Sequence, residues 1–272
     1  MKEEKVGVIA HLFHLELWDV IDLRLQNIKQ AFDLFVTTPY EKRQLVEQLV
    51  LRKYPQARIL ACENRGRDVA PFLQAMDHFD IYKYDTVLKI HTKRSLHLGE
   101  GGGKWFNSLI DHLIGDGDTV AWVVDKFRNF SDIGMLIHSD SGRWVHESLY
   151  RNREWLDKLI RRMKLGDLQG QKDWVYSAGT MFWFSGSALL PIRELGITVD
   201  DFEEEMGQLD GTLAHALERL MPLVVQKSGR LVLAADYPRH VTVDAIKSEI
   251  NKFLKQRNRQ NGGRKKRQFR HS

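Results

Sequence analysis

Apolar positions in the first half of the chain alternate between two periods. Residues 6–13, 33–38, 58–61, 86–91 and 133–137 are short runs rich in branched and aromatic side chains, each the length of one strand. Between them the spacing lengthens to that of a helix. Leu17, Ile21, Leu25 and Ile28 share one face of a helix over 17–29, and Leu45, Leu49 and Val50 one face of a helix over 41–53. Residues 68–79 and 104–113 follow the same pattern. Strands separated by helices rather than tight turns predict an α/β fold: a doubly wound, mixed but mainly parallel sheet with helices on both faces.

Beyond residue 140 the pattern changes. A charged helix is expected over 147–164, followed by the apolar run Gly179-Thr180-Met181-Phe182-Trp183-Phe184 and a short helix ending near Pro191. The acidic stretch Asp200-Asp201-Phe202-Glu203-Glu204-Glu205 precedes a helix over 211–220, and a last strand is expected over 230–234. Residues 1–250 are taken as one domain of two lobes, about 1–140 and 141–250, sharing a sheet.

Composition narrows the class. The 272 residues are 43% hydrophobic and 28% charged, enough for a large core in a water-soluble chain, and no run approaches the length of a membrane span. Residues 1–5 are charged and lead into a short apolar strand, so no export signal is expected. The single cysteine, Cys62, excludes an internal disulfide and fits a reducing, cytoplasmic compartment. The net charge of +5 is unevenly placed: nine basic and no acidic residues lie from Lys252 onward, so residues 1–251 carry −4. An acidic body with a basic, disordered tail over 251–272 argues against nucleic acid as the partner. It favours peripheral contact with an anionic membrane.

Three segments carry candidate chemistry. Asn64-Arg65-Gly66-Arg67-Asp68 lies between a strand end and a helix start, where doubly wound sheets bind ligands. Gly66 permits a tight turn, Asp68 suits an N-cap, and the two arginines can hold an anion; the bland alternative is a capped turn with solvated arginines. His91-Thr92-Lys93-Arg94 leaves the next strand at the same edge and adds cations suited to a diphosphate. Asp210, His215, Glu218 and Arg219 share the third segment, the last three on roughly one helix face; Asp210 as a cap with Glu218 and Arg219 solvated is the alternative. Trp183 belongs to a core strand or, turned outward, forms a sugar-stacking platform. Residues 99–104 fail the phosphate-loop spacing and are expected to form a mobile loop. His138-Ser139-Asp140 has the residue types of a catalytic triad only as sequence neighbours, and no His-Glu-x-x-His pattern marks a zinc site.

Asn64-Arg65-Gly66-Arg67-Asp68-Val69-Ala70-Pro71-Phe72, Lys89-Ile90-His91-Thr92-Lys93, Gly179-Thr180-Met181-Phe182-Trp183, and Gly211-Thr212 with His215-Ala216-Leu217-Glu218-Arg219 together resemble the rhamnan synthesis protein F family of bacterial cell-surface polysaccharide assembly. The resemblance covers about residues 5–240. It implies a GT-A-like glycosyltransferase, inverting, that passes rhamnose from a nucleotide sugar such as dTDP-rhamnose to a lipid-linked glycan. Residues 1–140 would form the nucleotide-sugar lobe and 141–250 the acceptor lobe. Asn64, Arg65, Arg67, Asp68, His91, Lys93 and Arg94 would bind the donor. Gly179, Thr180, Trp183, His215, Glu218 and Arg219 would lie on the acceptor side, and Asp210 falls where the catalytic base stands, with Glu205, Asp173 and His215 as alternatives. The GT-A position for a metal-binding Asp-x-Asp reads His91-Thr92-Lys93, so no cofactor is expected and cations take the metal's place. A noncatalytic nucleotide- or glycan-binding subunit is the competing expectation.

Overall fold

The computed structural model describes residues 5–93, 101–235, 245–252 and 255. Its centre is a seven-stranded sheet in the order β3-β2-β1-β4-β8-β5-β9. The strands are β1 (Val6–His11), β2 (Phe32–Pro39), β3 (Arg58–Cys62), β4 (Thr86–His91), β5 (Ile133–His138), β8 (Phe182–Phe184) and β9 (Leu231–Ala235). Only β8 runs antiparallel, against both β4 and β5. The short strands β6 (Gly142–Trp144) and β7 (Val175–Ser177) form a separate antiparallel ribbon.

Side chains alternate between two cores, which is why helices cover both faces. Val6, Val8 and Ala10 of β1 join a core with α1 (Trp18–Leu25), α2 (Arg43–Leu51), α4 (Gly101–Ile114) and α5 (Gly117–Asn129). Ile9 points the other way, into a core built with α3 (Val69–His78), α6 (Arg153–Arg162) and α7 (Leu213–Lys227). Trp183 obeys the same rule. It is fully buried in the first core between Phe182 and Phe184 of the second, and its Nε1 donates to Leu113 O at 3.1 Å. The expected acceptor-side role and the outward platform are both corrected: a tryptophan inside a central strand packs rather than stacks on a ligand.

Other boundaries shift for local reasons. The α2 stripe is Val46 and Val50, while Leu45 is exposed. The single helix expected over 147–164 is two 3-10 turns, His146–Ser148 and Tyr150–Asn152, before α6 begins. Gly101, Gly102 and Gly103 open α4 instead of belonging to a loop, and residues 99–100 lie outside the described residues. Helix α5 and strands β6 and β7 had no counterpart in the predicted elements. Among the described residues no helix is long and apolar enough to cross a membrane.

Candidate functional site

The carboxyl ends of β1, β4 and β5 and the start of β8 meet at one edge of the sheet. The turn over residues 63–68 arrives there from β3. Gly66 sits at φ 64°, and a Cβ on it would lie 2.4 Å from Phe202 Cδ1 and 2.7 Å from Ala70 Cβ, so the tight turn requires glycine. Arg67 follows at φ 56°, a left-handed conformation that costs a non-glycine residue of order 1 kcal/mol.

Asp68 stands at the N-cap of α3 but makes no capping hydrogen bond. Its carboxylate turns inward instead. Lys89, enclosed in β4, donates from Nζ to Asp68 Oδ2 at 2.5 Å and to Thr180 O at 2.7 Å. His91 Nδ1 lies 3.4 Å from the same carboxylate oxygen. Burial opposes ionisation of Asp68, but the neighbouring His91 and Lys89 and the Lys89 hydrogen bond hold its carboxyl well below the usual range. Burial drives His91 well below an ordinary imidazole and lowers Lys89 as well, while the Asp68 carboxylate pulls both back up. His11, beside them on β1, is pushed down to about 4 by burial, and its Nδ1 lies 3.0 Å from Thr37 Oγ1.

Residues 179–180 and 210–219 continue this network. Thr180 Oγ1 donates to Glu218 Oε1 at 2.5 Å, and Gly179 N–H donates to the same oxygen at 2.9 Å. Glu218 Oε2 lies 3.7 Å from Arg219 Nη1, and Arg219 Nη2 donates to Asp210 Oδ1 at 3.3 Å. Asn152 Nδ2 donates to that oxygen at 2.8 Å, and Arg151 N–H reaches Asp210 Oδ2 at 3.4 Å. A contiguous polar chain therefore runs from the Asp68 turn through Lys89, Thr180, Glu218 and Arg219 to Asp210. Lys93 stands beside it, its Nζ 3.8 Å from where a Cβ on Gly179 would stand. His215 is lowered to about 4 by burial and then by Arg67, against the opposing pull of Asp210. Its Nδ1 lies 2.7 Å from Thr212 Oγ1 in the capping box that starts α7.

The structure thus brings together Arg67, Asp68, His91, Lys93, Gly179, Thr180, Asp210, His215, Glu218 and Arg219. Glu218 and Arg219 are not the solvated pair that a bland helix face would give. Arg219 is buried, with Nε on Ser148 O and Nη1 on His215 O, both at 2.8 Å, so it orients Asp210 rather than meeting a ligand. Asn64 is exposed on the outside of the turn, Arg65 points toward Glu63 and Asp200 at 3.9 and 3.7 Å, and Arg94 lies outside the described residues. Of the alternative bases, Glu205 lies 3.7 Å from Arg67 Nε, whereas Asp173 accepts His146 and Trp174 backbone N–H groups beside the β6–β7 ribbon. Sequence reasoning missed Lys89, His11 and Asn152. A lone lysine inside the apolar run of β4 was the available signal, since such a residue is buried only with a partner.

Among the described residues His112, His138 and Asp140 place one ligand atom each within 4.8 Å of the others. The two imidazoles are stacked, centroids 3.8 Å apart and planes within 13°, and two near-parallel rings cannot both aim a lone pair at one ion. His138 Nδ1 accepts from Asp140 N–H at 3.3 Å, which ties it to the backbone rather than to a triad serine.

A mostly parallel sheet with one antiparallel strand, and with its cations and carboxylates at the carboxyl edge, defines a mixed α/β protein and is consistent with a GT-A-like fold. The chain belongs to the rhamnan synthesis protein F family, whose model matches residues 1–229, and so to a family of polysaccharide synthesis. It is 32% identical over 238 residues to WxcX, an uncharacterized protein of Xanthomonas campestris pv. campestris strain B100, and equally to WxcX of strain ATCC 33913. Each match covers 86% of this chain and 33% of the relative, so the chain spans about a third of the length of the relatives it matches.

Proposed function

We propose that the chain is an inverting glycosyltransferase that moves a sugar, rhamnose, from a nucleotide-sugar donor to a growing lipid-linked glycan, with its basic tail against an anionic membrane. The observation that carries this reading is Asp210, a carboxylate held by Asn152 and Arg219 beside a cluster of cations. The acceptor hydroxyl oxygen bonds to the anomeric carbon while the bond from that carbon to the diphosphate breaks. Asp210 takes the hydroxyl proton through Oδ2, its less engaged oxygen. Lys93 and Arg67 meet the charge that grows on the departing diphosphate.

His215 is a poor competitor for the base, because burial has made it weakly basic and its Nδ1 serves the α7 cap. Lysine at the Asp-x-Asp position supports a metal-independent reaction, so transfer should persist in chelator. Activity that vanishes with chelator and returns with manganese would overturn that part. Asp210→Asn keeps the shape of the side chain but removes the proton acceptor. It should lower transfer of radiolabelled sugar by about 100-fold or more while leaving nucleotide-sugar binding within about twofold. Wild-type turnover in this variant would move the base elsewhere.

A further inference from the structure

Two of the cations assigned to the donor, Arg65 and Arg67, already face anions, and beside Glu63 of the turn itself those anions belong to one short segment of the same chain. Residues 198–201 form a 3-10 turn closed by a Thr198–Asp201 capping box, and Phe202 buries its ring on Gly66. Glu203 then accepts Leu213 N–H at 3.1 and 3.0 Å on its two oxygens, which anchors the segment to the start of α7. From there the chain crosses the Asn64–Asp68 turn. Glu204 bridges Arg65 backbone to backbone, Asp200 Oδ1 lies 3.7 Å from Arg65 Nη1, Glu205 Oε2 lies 3.7 Å from Arg67 Nε, and Gln208 O accepts from Arg67 Nη2.

These contacts leave both guanidinium groups without a hydrogen-bonded carboxylate, although Arg67 is held by Gln208 O. The ion pairs are longer than hydrogen bonds, and Arg65 Nε is buried with no hydrogen-bond partner among the described residues. A diphosphate offers charge-assisted, paired hydrogen bonds that a carboxylate at 3.7 Å does not. It cannot reach Arg67 past the carboxylates of Glu203 and Glu205, which line the same recess, without like-charge repulsion. The segment beyond the Glu203 anchor is also built to leave: Glu204–Gly207 are exposed, Met206 and Leu209 are 82% and 75% exposed, and Gly207 takes φ 73°.

We infer that residues 204–209 are an acidic strap that stands in for the diphosphate on Arg67, crosses the Arg65 backbone, and is displaced when a pyrophosphate-bearing ligand binds. This rests on the donor-site reading above and adds its regulation: the resident carboxylates set a threshold that a singly charged phosphate does not cross and a diphosphate does. Glu205 is the counterion that leaves with the strap, Asp200 is a second, exposed counterion on the fixed side of the hinge, and Phe202 and Glu203 stay as the hinge.

Hydrogen–deuterium exchange of the whole chain with and without inorganic pyrophosphate, UDP or thymidine diphosphate tests the strap without any substitution. Exchange across 204–209 should rise on binding; protection there would make the segment a closing lid and overturn the inference. Calorimetry on Glu205→Gln and on the Asp200→Asn, Glu205→Gln pair gives the second measurement. Each removed counterion should tighten diphosphate binding about two- to fivefold, the range of one partly exposed ion pair. Unchanged or weaker binding by the variants would overturn the inference and leave the donor reading standing. Absence of any diphosphate binding by wild type and variants alike would overturn both.

Discussion

The turn over residues 64–68 has two sides, and they are built differently. On the outer side Arg65 and Arg67 contact carboxylates at 3.7–3.9 Å across a partly solvated surface. On the inner side Asp68 meets Lys89 at 2.5 Å, and Lys89 meets Thr180 O at 2.7 Å in a space closed by Phe72 and Phe182. Both sides pair opposite charges, but only the inner pair has given up its water. The energetics follow: exposed pairs contribute little and are exchangeable, whereas a buried pair is costly to break because one charge remains without a partner. Adjacent residues of one motif therefore differ in kind, Arg67 making exchangeable surface contacts and Asp68 fastening the turn to the sheet.

The largest effect should come from breaking the inner pair. Lys89→Met keeps the length of the side chain and leaves Asp68 buried and unpaired, which should cost about 3–5 kcal/mol in urea unfolding. Adding Asp68→Asn removes the orphaned charge and should recover part of that loss. If the single variant loses less than about 1 kcal/mol, the pair is solvated and the contrast between the two sides fails.

This division was only half legible in the sequence. The apolar run of β1 and the stripes of α1 and α3 report burial directly, because a strand between two cores is apolar on both faces and a covering helix on one. The candidate residues were legible as motifs, yet the direction in which each side chain points was not. Asp68 is a good N-cap by type but turns away from the helix because Lys89, 21 residues further on, offers a stronger partner. Trp183 has the chemistry of a sugar platform and is sealed by α4, whose register against β8 no local pattern encodes. Asn152 reaches Asp210 across 58 residues, through a 3-10 turn where a continuous helix was expected.

A middle-sized effect should appear in the share of the acid response that one buried histidine, His11, carries. His11, His91 and His215 are neutral in the fold because burial lowers them, the first and last to about 4. As pH falls through the ordinary imidazole value of 6.5 the unfolded chain takes up protons that the folded chain refuses until about 4, so stability is lost across that window. For His11 alone the loss reaches about 3 kcal/mol at most. Urea midpoints taken between pH 7 and 4.5 should fall steadily, and less steeply in His11→Asn. A flat profile would mean that these rings are wetter than their enclosure implies.

The smallest stability effect, and the sharpest contrast with Lys89, belongs to the outer side. Arg65→Gln removes a charge that makes only long contacts with Glu63 and Asp200. Thermal unfolding should then shift by no more than the equivalent of about 0.5 kcal/mol. The same substitution removes a forked donor from the proposed diphosphate site, so affinity for inorganic pyrophosphate should fall about tenfold, the loss of one charge-assisted hydrogen bond. A variant that binds normally and unfolds early would assign Arg65 to the scaffold, because only a ligand-facing arginine separates the two measurements in the opposite sense.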